Sequence, residues 1–104
     1  MAWLVLVVSG LLETVWAVAL DRSAGFSRPL PIAVFVVGLV LSMLGLGVAL
    51  RSIPVGTAYA IWVGIGAVGT AVVGMLALGE HAGLPRLLSL ALVVAGVVGL
   101  KVLH

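Results

Sequence analysis

The chain has 104 residues, 64% of them hydrophobic and 8% charged, with a formal net charge of +2 and a mean hydropathy of +1.47. A soluble domain carries about 45–50% apolar and about 25% charged residues, and so small a globule lacks the interior to hide the surplus. That excludes an ordinary soluble enzyme, a disordered chain, which needs low hydrophobicity and high charge, and, with no cysteine present, a disulfide scaffold. The five basic residues form no run, so the positive balance does not point to nucleic acid.

A membrane-spanning helix needs roughly 20 mainly apolar residues, and four such stretches follow one another. The first, 2–20, holds one charge, Glu13. It lacks a basic n-region and its apolar run is interrupted by that acid, so it reads as a span and not a signal peptide. A polar connection from Asp21 to Pro29 follows, with Pro29 and Pro31 suited to the first turn of a helix. The second span, 30–50, and the third, 55–78, carry no charge and are joined by the tight link Arg51-Ser52-Ile53-Pro54. Gly79-Glu80-His81-Ala82-Gly83 leads to the fourth, 85–103, with Arg86 at its start and Lys101 near its end. None of these runs alternates as the strands of a membrane barrel do. The predicted fold is therefore an all-α membrane protein, a single domain of four transmembrane helices over 1–104, with consecutive helices antiparallel. The lipid bilayer is its solvent.

The basic residues barely orient it. Arg22, Arg28 and Arg86 fall on one side, Arg51 and Lys101 on the other. So even a split gives almost no positive-inside bias. Either a short chain offers few charges to count, or it inserts both ways round.

Glu13 is the most informative residue. An ionisable group at mid-span costs roughly 2.5–3.5 kcal/mol on insertion scales and is a functional-site hypothesis by default. The alternative is a protonated glutamate making a structural bond between helices. No lysine or arginine within the apolar core of a span pairs with it. Ser9, Gly10, Trp16 and Ala17 are three or four residues away, so one helix face is predicted to carry an acid, an aromatic ring and small residues. In the second span Gly38, Ser42, Gly45 and Ala49 also share a face, with Ser42 a candidate partner for Glu13 or for a carbonyl of its own helix. Tyr59 and Trp62 are three apart in the third span. Their faces suit a cation, and Tyr59, near a span end, also suits an interface belt, as does Trp3.

Gly64-Ile65-Gly66-Ala67-Val68-Gly69 matches G-x-G-x-x-G. That pattern binds dinucleotides between a strand and a helix, whereas here it lies inside an apolar helix, where three glycines mark a bendable segment. Gly10, Gly64, Gly66 and Gly69 are thus candidate packing or hinge positions. In the fourth span Ala91, Ala95 and Gly99, and Ser89 and Gly96, form small-residue rows suited to tight packing within one chain or between chains. Glu80 and His81 are expected to be solvated in their loop. Two adjacent donors do not make a metal ligand set, and no cofactor is expected.

Taken together, Gly10-Leu11-Leu12-Glu13 with Trp16-Ala17, the Gly25-Phe26 loop, Pro54-Val55-Gly56-Thr57-Ala58-Tyr59-Ala60-Ile61-Trp62, the Gly64–Gly69 run and the closing Gly99-Leu100-Lys101 carry a resemblance over essentially the whole chain. The sequence resembles the small multidrug resistance family of four-helix proton-coupled exporters, and within it the guanidinium exporter subtype, to which Trp16 after Glu13 points. Val63 departs from the polar residue of that pattern. The resemblance implies an antiparallel, dual-topology homodimer in a bacterial plasma membrane, with two Glu13 residues in one pocket. It implies that Glu13 binds a guanidinium-type cation or protons in turn, that Trp16 and Tyr59 shape the site, that Ser42 tunes Glu13, and that Trp62 flanks it. Two copies in opposite orientations would recreate the inverted repeat that many transporters use for alternating access. Two other readings stay open, an exporter of broad quaternary cations and a small membrane subunit that packs against a larger transporter.

Overall fold

The structure, a computed structural model, describes residues 1–103. Four helices follow in chain order, α1 (Ala2–Arg22), α2 (Pro29–Ala49), α3 (Val55–Ala77) and α4 (Leu84–Val102). All four are long and apolar enough to cross a membrane. No strand occurs among the described residues.

The first helix extends past the span read from the sequence, taking in Asp21 and Arg22, which were expected in the loop. Hydrophobic length sets the span, but nothing in Asp21-Arg22 stops the helix. Ser23 does. Its hydroxyl donates to the Leu20 carbonyl at 2.7 Å and accepts from the Phe26 N–H at 3.1 Å. Its carbonyl takes the N–H groups of Ser27 and Arg28. Ser23 is fully buried, and Ala24, Gly25 and Phe26 all adopt positive φ around it. Arg28, extended at φ −107°, then caps α2, with Pro29 and Pro31 in its first turn. Proline tolerates those positions because their N–H groups have no helical acceptor.

The α2–α3 link is buried rather than exposed at its hinge. Ile53 is 3% exposed, and its N–H donates to Ala49 at 3.0 Å. Pro54 caps α3, accepting the Ala58 N–H at 2.9 Å. At the far end of α3, Gly79 turns the chain with φ +73°. Glu80, expected to be solvated, is exposed but ion-paired. Its Oε1 accepts from Arg86 at 2.6 Å, and Arg86 also donates to the His81 carbonyl at 3.1 Å.

The helix α1 lies between α2 and α3, while α4 rests on α3 alone. The core sits at one end of the bundle. Leu6 from the start of α1, Leu46 and Ala49 from the end of α2, Ile53 from the link, and Ala58, Ile61 and Trp62 from the start of α3 form it. Towards the opposite end α1, α2 and α3 line a cleft of about 470 Å³, with Thr14, Val18, Arg22, Leu30, Val34 and Val73 among its walls. No residue of α4 is buried. Lys101 does reach back from α4, with its ammonium 5.1 Å from the centre of the Trp3 ring, in cation–π range. Trp3 therefore packs against the core and under a cation, not only at an interface.

Candidate functional site

The site is built on glycines, because only a residue without a Cβ lets neighbouring helices close in far enough to seat a polar side chain. Gly66 of α3 is buried beneath Glu13. A Cβ there would meet Glu13 Cγ at 2.8 Å and run into the carboxyl group itself. Gly69, one turn on, leaves room for the Thr14 side chain, and Gly10 of α1 faces Ile65 and the Trp62 carbonyl. On the other flank Gly38 of α2 admits Trp16, whose Cβ would lie 3.1 Å from an added methyl, and Gly45 admits Ser9.

These contacts divide the face of α1 that the sequence reads as one stripe. Gly10 and Glu13 turn to α3, whereas Ser9 and Trp16 turn to α2. Spacing puts residues on a common side of a helix, but a side wide enough to hold four residues meets two neighbours when the helix is sandwiched. Trp16 stacks edge-on with Phe35 of α2, ring centres 5.9 Å apart, and Phe35 in turn with Phe26 at 5.9 Å.

Ser42 bonds neither Glu13 nor its own helix. It is fully buried and donates to the Ser9 carbonyl at 2.7 Å, while accepting from Trp62 Nε1 at 3.1 Å. In an α-helix the Ser9 carbonyl is also the acceptor of the Glu13 N–H. Ser42 thus reaches Glu13 through the backbone, tying α2 and the Trp62 ring of α3 to the turn from which the acid projects. Ser9 itself donates to Val5 at 2.7 Å, a bond within its own helix.

Glu13 is half-buried, and no described residue donates to its buried Oε2. The buried Nε1 of Trp16 likewise lacks an acceptor. A buried polar atom without a partner is costly, and an ionised one more so. Both ends of this bundle satisfy other buried polar side chains, such as Ser23 and Ser42. Among the described residues the Glu13 carboxyl oxygen and the Trp16 indole N–H are the exceptions, and the carboxyl group presents a free acceptor inside an apolar fold.

Tyr59 tilts against Trp62, ring centres 5.8 Å apart, but it is 54% exposed at the start of α3. It stands seven residues from Gly66, about 10 Å along the axis, so within one chain it does not share Glu13's level. Thr14, which spacing rules pass over, belongs to the site. Its hydroxyl donates to the Gly66 carbonyl at 3.3 Å. A hydroxyl next to a lone acid in an apolar helix was the available signal. The Gly64–Gly69 run lies in unbroken helix. Gly66 and Gly69 seat α1 side chains, and Gly64 seats Val97 of α4. Gly96 of α4 is exposed, and a Cβ added there would meet nothing within 4 Å. Among the described residues no group of three metal-ligating side chains forms.

Comparison with known proteins bears on this geometry. The pattern of the Small Multidrug Resistance protein family matches residues 1–93. A guanidinium exporter of Yersinia pestis is 54% identical over 101 residues, covering 97% of each chain. Guanidinium exporters of Salmonella typhimurium and Escherichia coli K12 are 55% and 54% identical, each over 97% of this chain and 96% of the relative. With four apolar helices and bacterial relatives along its length, this is a multi-pass protein of a bacterial plasma membrane. The chain belongs to the small multidrug resistance family.

Proposed function

We propose that the chain is a proton-coupled antiporter that exports guanidinium and small substituted guanidinium cations, working as an antiparallel homodimer with two Glu13 residues in one pocket. The observation that carries this reading is the Glu13 carboxyl group, seated on Gly66 with a buried oxygen that no described residue satisfies. The names of its relatives, guanidinium exporters alike along nearly the whole chain, support the choice of substrate.

The chemistry follows from the cation's shape. Guanidinium is planar and presents parallel N–H pairs, so it makes two charge-assisted bonds to one carboxylate, the arrangement that makes arginine–carboxylate pairs strong. In the dimer the ring faces of Trp16 and Tyr59 add attraction for a delocalised cation, and Trp62, buried in the core, flanks the site. Protons compete for the same carboxyl groups, so a cation entering expels protons and protons entering release the cation. Urea has the same outline without the charge. It gains little from a carboxylate held in low dielectric. A second, inverted copy supplies the other half of the pathway, and the three-to-two split of basic residues permits both insertions. A C-terminal tag labelled from either face of the membrane should then be reached from both in comparable amounts.

The test is transport current from purified protein reconstituted alone, with guanidinium, a guanidinium bearing one small apolar group, urea and a quaternary ammonium ion at saturating concentration. Guanidinium and its substituted form should give currents, urea none, and the quaternary ion little, for want of N–H donors. A quaternary ion that matches guanidinium would replace this reading with broad cation export. No current from the protein alone would favour an accessory subunit.

A further inference from the structure

We infer that Thr14 is a positioning residue, which holds the Glu13 carboxyl group over Gly66. The role rests on the cation exchange proposed for that carboxyl. Glu13 and Thr14 are consecutive on α1 and key into two glycines three apart on α3, the carboxyl over Gly66 and the hydroxyl side chain over Gly69. The Thr14 hydroxyl then crosses back to donate to the carbonyl of Gly66 at 3.3 Å, the residue the carboxyl covers. One bond therefore fixes both the height and the rotation of α1 against α3 at the acid.

The position is sensitive to register. A helix rises 1.5 Å and turns about 100° per residue, so a slip of one residue would take the carboxyl off Gly66 and set it against Ile65 or Ala67, which carry a Cβ. On the other flank, the bond from Ser42 to the Ser9 carbonyl ties α1 to α2. The two ties bracket Glu13, one at the turn before it and one at the next residue. The Ser9 tie lies in the packed half of the bundle. Thr14 borders the cleft, and its hydroxyl bond to the Gly66 carbonyl adds a directional tie between α1 and α3 there.

Transport by Thr14→Val, Thr14→Ala and Thr14→Ser tests this. Valine keeps the outline and removes the donor. An interhelical hydrogen bond in a membrane averages the equivalent of about a threefold change in an equilibrium, so Thr14→Val should raise the apparent KM for guanidinium about threefold, with maximal rate per folded dimer unchanged. Thr14→Ala should do the same if valine impairs folding, and Thr14→Ser should restore the wild-type KM. A merely structural role would lower melting temperature and maximal rate without moving KM, and that result overturns the inference. So does a wild-type KM in both Thr14→Val and Thr14→Ala, or a shift in Thr14→Ser as large as in Thr14→Val. If the wild-type protein carries no guanidinium, the proposed function fails first and this role falls with it. An active wild type with indifferent Thr14 variants removes only this role.

Discussion

At one end of the bundle α1, α2 and α3 close on Leu6, Leu46, Ala49, Ile53 and Trp62, with Ser42 holding Ser9 and Trp62 together. At the other the same three helices line a cleft walled almost wholly by apolar side chains, with Arg22 the one charge among its walls. Glu13 stands where one regime gives way to the other, after Ser9 and Gly10, both buried, and before Thr14 and Val15, which line the cleft. The contrast has a physical meaning. A binding group must be held in place, which the packed half does through buried and hydrogen-bonded side chains. It must also be reached and left, which a fully packed bundle forbids. In the proposed transporter a single helix serves both needs by running from one half into the other, with its acid at the junction.

The largest effect expected at this junction comes from Glu13→Gln. Glutamine preserves size and much of the hydrogen bonding but cannot carry the exchanged charge. Guanidinium transport should fall to the level of empty liposomes, while helix content and dimer size in detergent stay as they are. If Glu13→Gln still drives guanidinium against its gradient, the junction is not where exchange occurs.

Gly66→Val tests the seat itself. The added side chain would occupy the space of the carboxyl group, and forcing volume into a packed contact costs about 1–3 kcal/mol. A lower melting temperature and a sharp drop in guanidinium affinity are expected together.

Ser42→Ala probes the packed half. It leaves Trp62 Nε1 buried without its acceptor, a loss of about 1–3 kcal/mol, and frees the Ser9 carbonyl of its crosslink. Stability should therefore fall clearly, and guanidinium affinity by less than in Gly66→Val. Equal loss of affinity in the two variants would blur the distinction between the halves. The smallest effect belongs to the rim. Glu80 and Arg86 form an exposed pair, and such pairs contribute about 0–1 kcal/mol and are screened by salt. Glu80→Gln should shift melting slightly in low salt and not at all in high salt.

The sequence made the four spans plain, because twenty apolar residues broken by Pro and Gly admit few other folds. It made Glu13 plain because a lone acid there is expensive. It did not reveal what the acid touches. Spacing placed Ser9, Gly10, Glu13 and Trp16 on one face, yet only the packing of α1 between two neighbours sends two of them to α2 and two to α3. Ser42 was legible as the one hydroxyl in mid-α2, but its acceptor is the backbone of Ser9, which no side-chain pattern encodes. Gly66 and Gly69 were legible as small residues in α3, while their role as seats for Glu13 and Thr14 depends on a helix register fixed between chain segments some fifty residues apart. Thr14 went unmarked because a threonine in an apolar helix more often satisfies itself locally.

Whether cation and protons exchange at Glu13 is tested most directly by following pH in weakly buffered detergent solution while guanidinium is added. Guanidinium keeps its own protons, so any protons that appear come from the protein. Wild-type protein should release protons, saturating as the site fills, whereas Glu13→Gln should release none and urea should release none from either. Proton release from Glu13→Gln equal to wild type would place the exchange elsewhere. A wild-type protein that binds guanidinium and releases no protons would contradict exchange altogether.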